Sequence, residues 1–240
     1  MKINSKKTNT MVFNFTENFK FSPRLFIQGE LLQVIEKTRL LGTIITSDLR
    51  WEQNPSHIVT KANARMELLR RVASFGAKVE DLKTIYILFV RSQLEQSAVV
   101  WSSSLTEQNK ADLERVQRSA LRIILGPKYE SYKKSLATLD LETLEERREY
   151  LCLRFAQKCT KNEKTYQMFP LKRKMYQMDT RNKEKYLVQF ANTERLKRSS
   201  IIHLGEFPIG SYLKGNMHHK HDVSSKDAFY IIDLAAKICF

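Results

Sequence analysis

Residues 39–58 read RLLGTIITSDLRWEQNPSHI, and one structural period gives way to another inside them. The first half is rich in Leu, Ile and Thr with a single glycine, Gly42, inside a run that has the composition of a strand. Asn54-Pro55-Ser56 then breaks the pattern and offers a helix N-cap. Beyond the break Ile58, Ala62, Met66, Leu69 and Ala73 recur at helical spacing, while Lys61, Arg65, Arg70 and Arg71 fall off that stripe. A sheet therefore hands over to helices here. The expected class is α+β, mostly α: a small antiparallel sheet, a helical bundle and a weakly ordered basic C-terminal tail.

Upstream, residues 10–15, 24–28, 31–36 and 39–46 are short, apolar and separated by polar breaks, with a tight turn expected at Gln28-Gly29-Glu30. Three or four antiparallel strands of this size make a marginal sheet with one face uncovered. Downstream, Gly76 should stop the first helix, and Glu80 and Asp81 suit the positive end of the next. That second helix carries Leu82, Ile85, Tyr86, Phe89, Val90 and Leu94, then Ala98 or Trp101, on its inner face. Thr106 can cap a third helix with Leu113, Val116, Ala120, Leu121 and Ile124 inward, halted by Gly126-Pro127. A short helix over 130–138 and a longer one from Leu141 to Lys161, with Leu144, Leu151, Phe155 and Cys159 on one face, complete a bundle. The organisation read from the chain is thus residues 1–50 in strands, 52–162 in helices and 163–240 as a basic, largely disordered tail.

Among 240 residues, 41 Lys and Arg against 26 Asp and Glu leave a net charge of +15. Such a surplus favours a polyanionic partner, and residues 164–200 alone hold ten Lys and Arg against three acids. Cys152, Cys159 and Cys239 suit neither a disulfide scaffold nor a zinc site. The first two fall two helical turns apart as buried thiols of a reducing compartment. No leader-like or membrane-spanning apolar run occurs, so an intracellular location, cytoplasmic or nuclear, is expected, with no membrane partner.

Further landmarks stand in order along the chain. Asn4-Ser5-Lys6-Lys7-Thr8 and Met11-Val12-Phe13 come first, then Leu40-Leu41-Gly42-Thr43-Ile44-Ile45 with Asp48-Leu49-Arg50-Trp51 and His57-Ile58. Tyr86, Arg91-Ser92, Leu94-Glu95 and Val99-Val100-Trp101 follow, then Leu113-Glu114-Arg115-Val116-Gln117-Arg118-Ser119-Ala120 and Leu144-Glu145-Glu146-Arg147-Arg148. Over residues 4 to about 160 this series resembles the C-terminal part, palm end plus thumb, of reverse transcriptases from jockey-like non-LTR retrotransposons. The resemblance implies an RNA-directed DNA polymerase as parent, with RNA–DNA hybrid or single strands as partner alongside the upstream palm and fingers. The parent would need magnesium. The family's aromatic-Ala-Asp-Asp turn is not found in this sequence, and residues after Ser200 do not resemble the family.

Polymerisation needs two divalent ions held by converging carboxylates. Asp48, Asp81, Asp112 and Asp140 sit on separate expected elements, so no catalytic residue, metal site or cofactor is assigned, and the chain by itself is read as a non-enzyme. Candidate nucleic-acid contacts remain. The resemblance marks Lys7 as the palm lysine near the incoming nucleotide, against an ordinary strand-flanking lysine. It places Gly42 in the strand pair against the primer end, where a missing Cβ permits close approach, against a bulge glycine. Trp51 could stack on a base or plug a joint between sheet and bundle. His57, Lys61, Arg65, Arg70 and Arg71 can track phosphates along one helix, with Arg115, Arg118 and Arg122 a second basic ridge and Arg147 with Arg148 a third contact. Trp101 reads as core. His218, His219 and His221 beside Asp222 invite a metal only weakly, for want of a second ligand cluster. Two other readings stand beside the gripping fragment: a degenerate transposon remnant without activity, and a helical protein-interaction module.

Overall fold

The structure is a computed structural model that describes residues 4–13, 23–161, 163–166, 197 and 199–206. Its contacts divide the chain into two units, Met1–His57 and Ile58–Phe240.

The N-terminal unit is built from short strands: β1 (Asn9–Thr10), β2 (Phe26–Ile27), β3 (Glu30–Leu31), β4 (Gln33–Val34), β5 (Lys37–Leu40) and β6 (Thr43–Thr46). They pair as three two-stranded ladders, β2 with β3 and β5 with β6 antiparallel. The expected sheet was antiparallel throughout. Instead β1 and β4 run parallel, with Asn9 opposite Gln33 and Thr10 opposite Val34.

The reading of residues 39–46 as one strand also changes. Leu40 faces Thr43 across a two-residue turn, in which Leu41 and Gly42 have φ of 48° and 89°. Both positive values are those of a type I′ turn, whose twist matches paired strands. Gln28 and Gly29, at φ 53° and 80°, close β2–β3 in the same way, at the expected position. These ladders bury little. Leu32 is covered, but Phe26, Leu31, Val34 and Leu40 remain exposed, as the expected uncovered sheet face requires.

Among the described residues the α-helices are α1 (Gln53–Ser74), α2 (Val79–Ile85), α3 (Ser92–Leu94), α4 (Ala98–Trp101), α5 (Glu107–Leu125), α6 (Tyr132–Leu139), α7 (Leu144–Lys161), α8 (Glu163–Tyr166) and α9 (Ser200–Glu206). A π-helical segment, Tyr86–Arg91, runs between α2 and α3. Pro55 falls in the first turn of α1, where a missing N–H costs nothing. Asn54 is buried, and it does not cap: its Oδ1 accepts a hydrogen bond from the Ile44 N–H at 3.1 Å. Gly76, at φ 76°, ends the helix as expected.

The α5 stripe is buried as the spacing predicts, and the Thr106 hydroxyl accepts from the Asn109 N–H at 3.2 Å. A capping box that the spacing analysis missed opens α7. The Thr143 N–H donates to Glu146, and the Glu146 N–H donates back to the Thr143 hydroxyl. The inner face of α7 also departs from expectation. Phe155 is exposed and Leu151 half-buried, while Leu144, Arg147, Arg148, Cys152, Ala156 and Cys159 are buried.

Cys152 and Cys159 are free thiols, packed with Ala156 and with Leu204 of α9. Residues 200–206 thus leave the expected tail: Ile202 and Leu204 are buried, and α9 packs against α7 and α4. The tail's first residues, Glu163–Tyr166, are also helical, as α8, and residues 197 and 199 are described. The remainder, including most of the basic run and the histidines near residue 220, lies outside the described residues, as does Cys239. Among the described residues no helix is long and apolar enough to cross a membrane.

Leu41 supplies a stability test. A left-handed conformation costs a side chain with a Cβ about 1–2 kcal/mol, whereas Asn tolerates it well. Leu41 is 89% exposed, so its replacement removes no core. Leu41→Asn should therefore stabilise the β5–β6 hairpin by about 1 kcal/mol, read as slower amide exchange across the Lys37–Thr46 ladder.

Candidate nucleic-acid interface

The basic ridge on α5 is the most complete of the expected contact sets. Arg115, Arg118 and Arg122 lie three and four residues apart, so they share one face, and all three are exposed. Two of them lie over aromatic rings. The Arg118 guanidinium sits 5.1 Å from the centre of Tyr132, and that of Arg122 sits 5.3 Å from the centre of Tyr129. Such contacts contribute about 0.5–1 kcal/mol at the surface and hold the cations over the ring faces. Arg115 pairs with Asp112 at 2.9 Å. The tyrosines are the part sequence reasoning missed. They lie past the Gly126-Pro127 break, and only folding α6 back against α5 brings them under the arginines.

Along α1 the expected row is present but partly engaged. Lys61 is half-buried, Arg65 donates to the Phe89 carbonyl at 2.7 Å, and Arg70 and Arg71 both pair with Glu67. Exposed pairs of that kind hold their cations weakly, and a phosphate can compete for them. His57 and Trp51 belong to the N-terminal unit and are half-buried. Lys7 is exposed and closes a short 3₁₀ turn, Ser5–Lys7, just before β1. Gly42 is a hairpin-turn glycine, and its left-handed φ is the reason glycine stands there. The bulge reading and the strand-interior reading both give way to that one.

Arg147 and Arg148 do not form a surface contact. Glu95 lies between two buried arginines. It accepts from Arg147 Nε and from a terminal nitrogen of the same side chain, at 3.0 and 3.1 Å, and it pairs with Arg91 Nε at 3.4 Å. Glu142 also approaches Arg147 Nε, at 3.8 Å. Burial alone would depress the Arg147 pKa, but its bidentate carboxylate partner outweighs that and raises it. For Arg91 burial wins, against Glu95, and the pKa falls.

A second internal network surrounds Gln117. Its Oε1 accepts from the Tyr86 hydroxyl, and its amide nitrogen donates to the Tyr132 hydroxyl and to the Glu142 carbonyl, each at 2.9 Å. Tyr132 donates to Glu114, whose other oxygen accepts the Glu145 N–H at 3.0 Å. Trp101 is core, with Nε1 donating to the Gln96 carbonyl at 2.9 Å. Tyr86, Arg91, Glu95, Gln117 and Arg147 therefore hold the bundle together from inside.

The aspartates have local duties. Asp48 accepts from the Thr46 hydroxyl and the Arg50 N–H, Asp81 stands in the first turn of α2, and Asp140 takes the left-handed position after α6. Among the described residues no three His, Cys, Asp or Glu side chains group as metal ligands would. Comparison with family models, with curated proteins and with solved structures finds no match for this chain.

Glu95→Gln removes the carboxylate shared by two buried guanidinium groups, leaving Arg147 only the Glu142 carboxylate at 3.8 Å, and should cost about 3–5 kcal/mol in urea unfolding. Arg70→Ala should change stability by less than about 0.5 kcal/mol. Tyr86 is fully buried, and burial raises its pKa well above 10.0. The unfolded chain then gives up this proton first, so stability is full below about pH 10 and falls as pH rises further. Tyr86→Phe should make that alkaline decline shallower in denaturant titrations at successive pH values.

Proposed function

We propose that this chain is the palm-end and thumb part of a non-LTR retrotransposon reverse transcriptase, and that it binds nucleic acid through phosphates without reading bases. The observation that carries the binding is the exposed α5 ridge, Arg115, Arg118 and Arg122, two of whose arginines lie over tyrosine rings. The net charge of +15 supports it, since a long-range positive field draws polyanions of any sequence. The family assignment draws its support from the ordered landmarks of the sequence. In this reading the chain contributes grip on primer and template, and the magnesium chemistry belongs to the parent polymerase.

Each neutralised phosphate adds about 0.9 to the slope of log affinity against log salt. Fluorescence anisotropy with an RNA–DNA hybrid should show that dependence, and replacing all three ridge arginines by Ala should flatten the slope by about 2–3. Binding that ignores salt, or a triple variant with the parent slope, would overturn the reading. Capture of a partner protein without any nucleic-acid affinity would instead favour the interaction module.

The capped helices and paired internal polar groups weigh against a degenerate remnant. The purified chain should give a helical circular dichroism spectrum and a cooperative melt. A broad, non-cooperative loss of signal would favour the remnant.

A further inference from the structure

Arg148 poses a problem that neither internal network solves. It projects from the second turn of α7, is only 4% exposed, and neither terminal nitrogen of its guanidinium meets an acceptor among the described residues. Burial depresses its pKa, opposed by Glu114 and Glu145. A buried cation without a bonded partner is a large uncompensated cost, and proteins retain such groups where something else supplies the countercharge.

Arg148 forms part of the wall of a cavity of about 150 Å³ within the helical unit. That is about ten times the room one water molecule requires. The wall has donors on several elements: the hydroxyls of Ser102, which already meets the Cys152 thiol at 3.3 Å, and of Ser103 from the turn after α4, and the Lys110 ammonium from α5. It also has acceptors, the carboxylates of Glu145 and Glu149 on α7. His203 of α9 lines it as well. Lys110 is held charged by hydrogen bonds to Glu107 and Glu145, at 2.9 and 3.1 Å.

This mixture selects among anions. A fully deprotonated anion such as sulfate brings acceptors alone and is repelled by the two glutamates. A singly protonated phosphate oxyanion brings acceptors for Arg148, Lys110 and the serines, together with a P–OH that can donate to a glutamate. We infer that the cavity beside Arg148 is a binding site for a phosphate group, free phosphate or the terminal phosphate of a monoester. The site is separate from the α5 ridge and does not rest on the nucleic-acid reading, because inorganic phosphate alone suffices to test it.

The full chain is melted in chloride, sulfate and phosphate at one ionic strength near pH 6.5, and phosphate binding is followed by ³¹P NMR line width. Phosphate should raise the Tm more than sulfate does, since ligand that binds only the folded state stabilises it. Arg148→Met should melt no lower than the parent in chloride and should weaken phosphate binding by about 10-fold or more, the loss of a charge-assisted hydrogen bond. Ser103→Ala, a milder change at a half-exposed position, should weaken it by about 5-fold. A sulfate effect as large as that of phosphate would mean general salt exclusion and would overturn the site. So would phosphate binding unaltered in both variants. A parent chain indifferent to phosphate whose Arg148→Met variant melts far lower would show that the guanidinium has an internal partner, and it would overturn the proposal as well. A monoester that binds more tightly than inorganic phosphate would identify the source as a phosphorylated molecule.

Discussion

The helical unit turns on Glu95. This one carboxylate lies between Arg91 and Arg147, and with Glu142 it makes a four-membered charge cluster linking the helix that follows the π-helical segment to the start of α7. Taking these ions out of water is costly, and the cluster is tolerated because Arg147 meets Glu95 through a bidentate hydrogen bond and Arg91 pairs with the same carboxylate at 3.4 Å. Its effect is on arrangement more than on net stability. Only one rotation of α7 brings Arg147 to Glu95, and the same rotation turns Phe155 outward and Cys152, Ala156 and Cys159 inward. The Gln117 network then fixes α5 against both neighbours, since its amide serves Tyr86, Tyr132 and the Glu142 carbonyl at once.

That arrangement sorts the basic residues into two kinds. Arg91, Arg147 and Arg148 are internal, and the first two are neutralised there. Arg115, Arg118 and Arg122 stay outside on the opposite side of the α5 stripe, where a polyanion can reach them. Tyr132 belongs to both sets: its hydroxyl is tied inward to Glu114 and Gln117, while Arg118 rests over its ring. The polar core and the candidate interface are therefore mechanically joined at one side chain.

Legibility followed the kind of signal. Apolar stripes at helical spacing marked Ile58, Ala62, Met66 and Leu69, and Leu113, Val116, Ala120, Leu121 and Ile124 of α5, because burial of an apolar face is a local, periodic property. Gly76, Gly126 and Thr106 announced helix ends for equally local reasons. The pattern failed where buried residues are charged. A charged residue carries no apolar signal, so Arg147 and Arg148 read as surface, and α7 was assigned a face that includes Phe155. Residues 39–46 failed for a different reason: Leu-Gly is an unusual type I′ turn pair, and its leucine hid the break between strands.

The sequence by itself determined the class of fold, the order of sheet before helices, the helix boundaries set by Thr106, Gly76 and Gly126, and the net positive charge. All of these rest on composition or on neighbours within a few residues. Tertiary structure alone decided that β1 and β4 pair in parallel and that Tyr129 and Tyr132 lie beneath Arg122 and Arg118. It alone decided that Arg147 meets Glu95, 52 residues away, and that Arg148 stands at the wall of a cavity. Those outcomes depend on which distant groups remain to satisfy a buried charge once the apolar faces have packed, and that choice exists only in three dimensions.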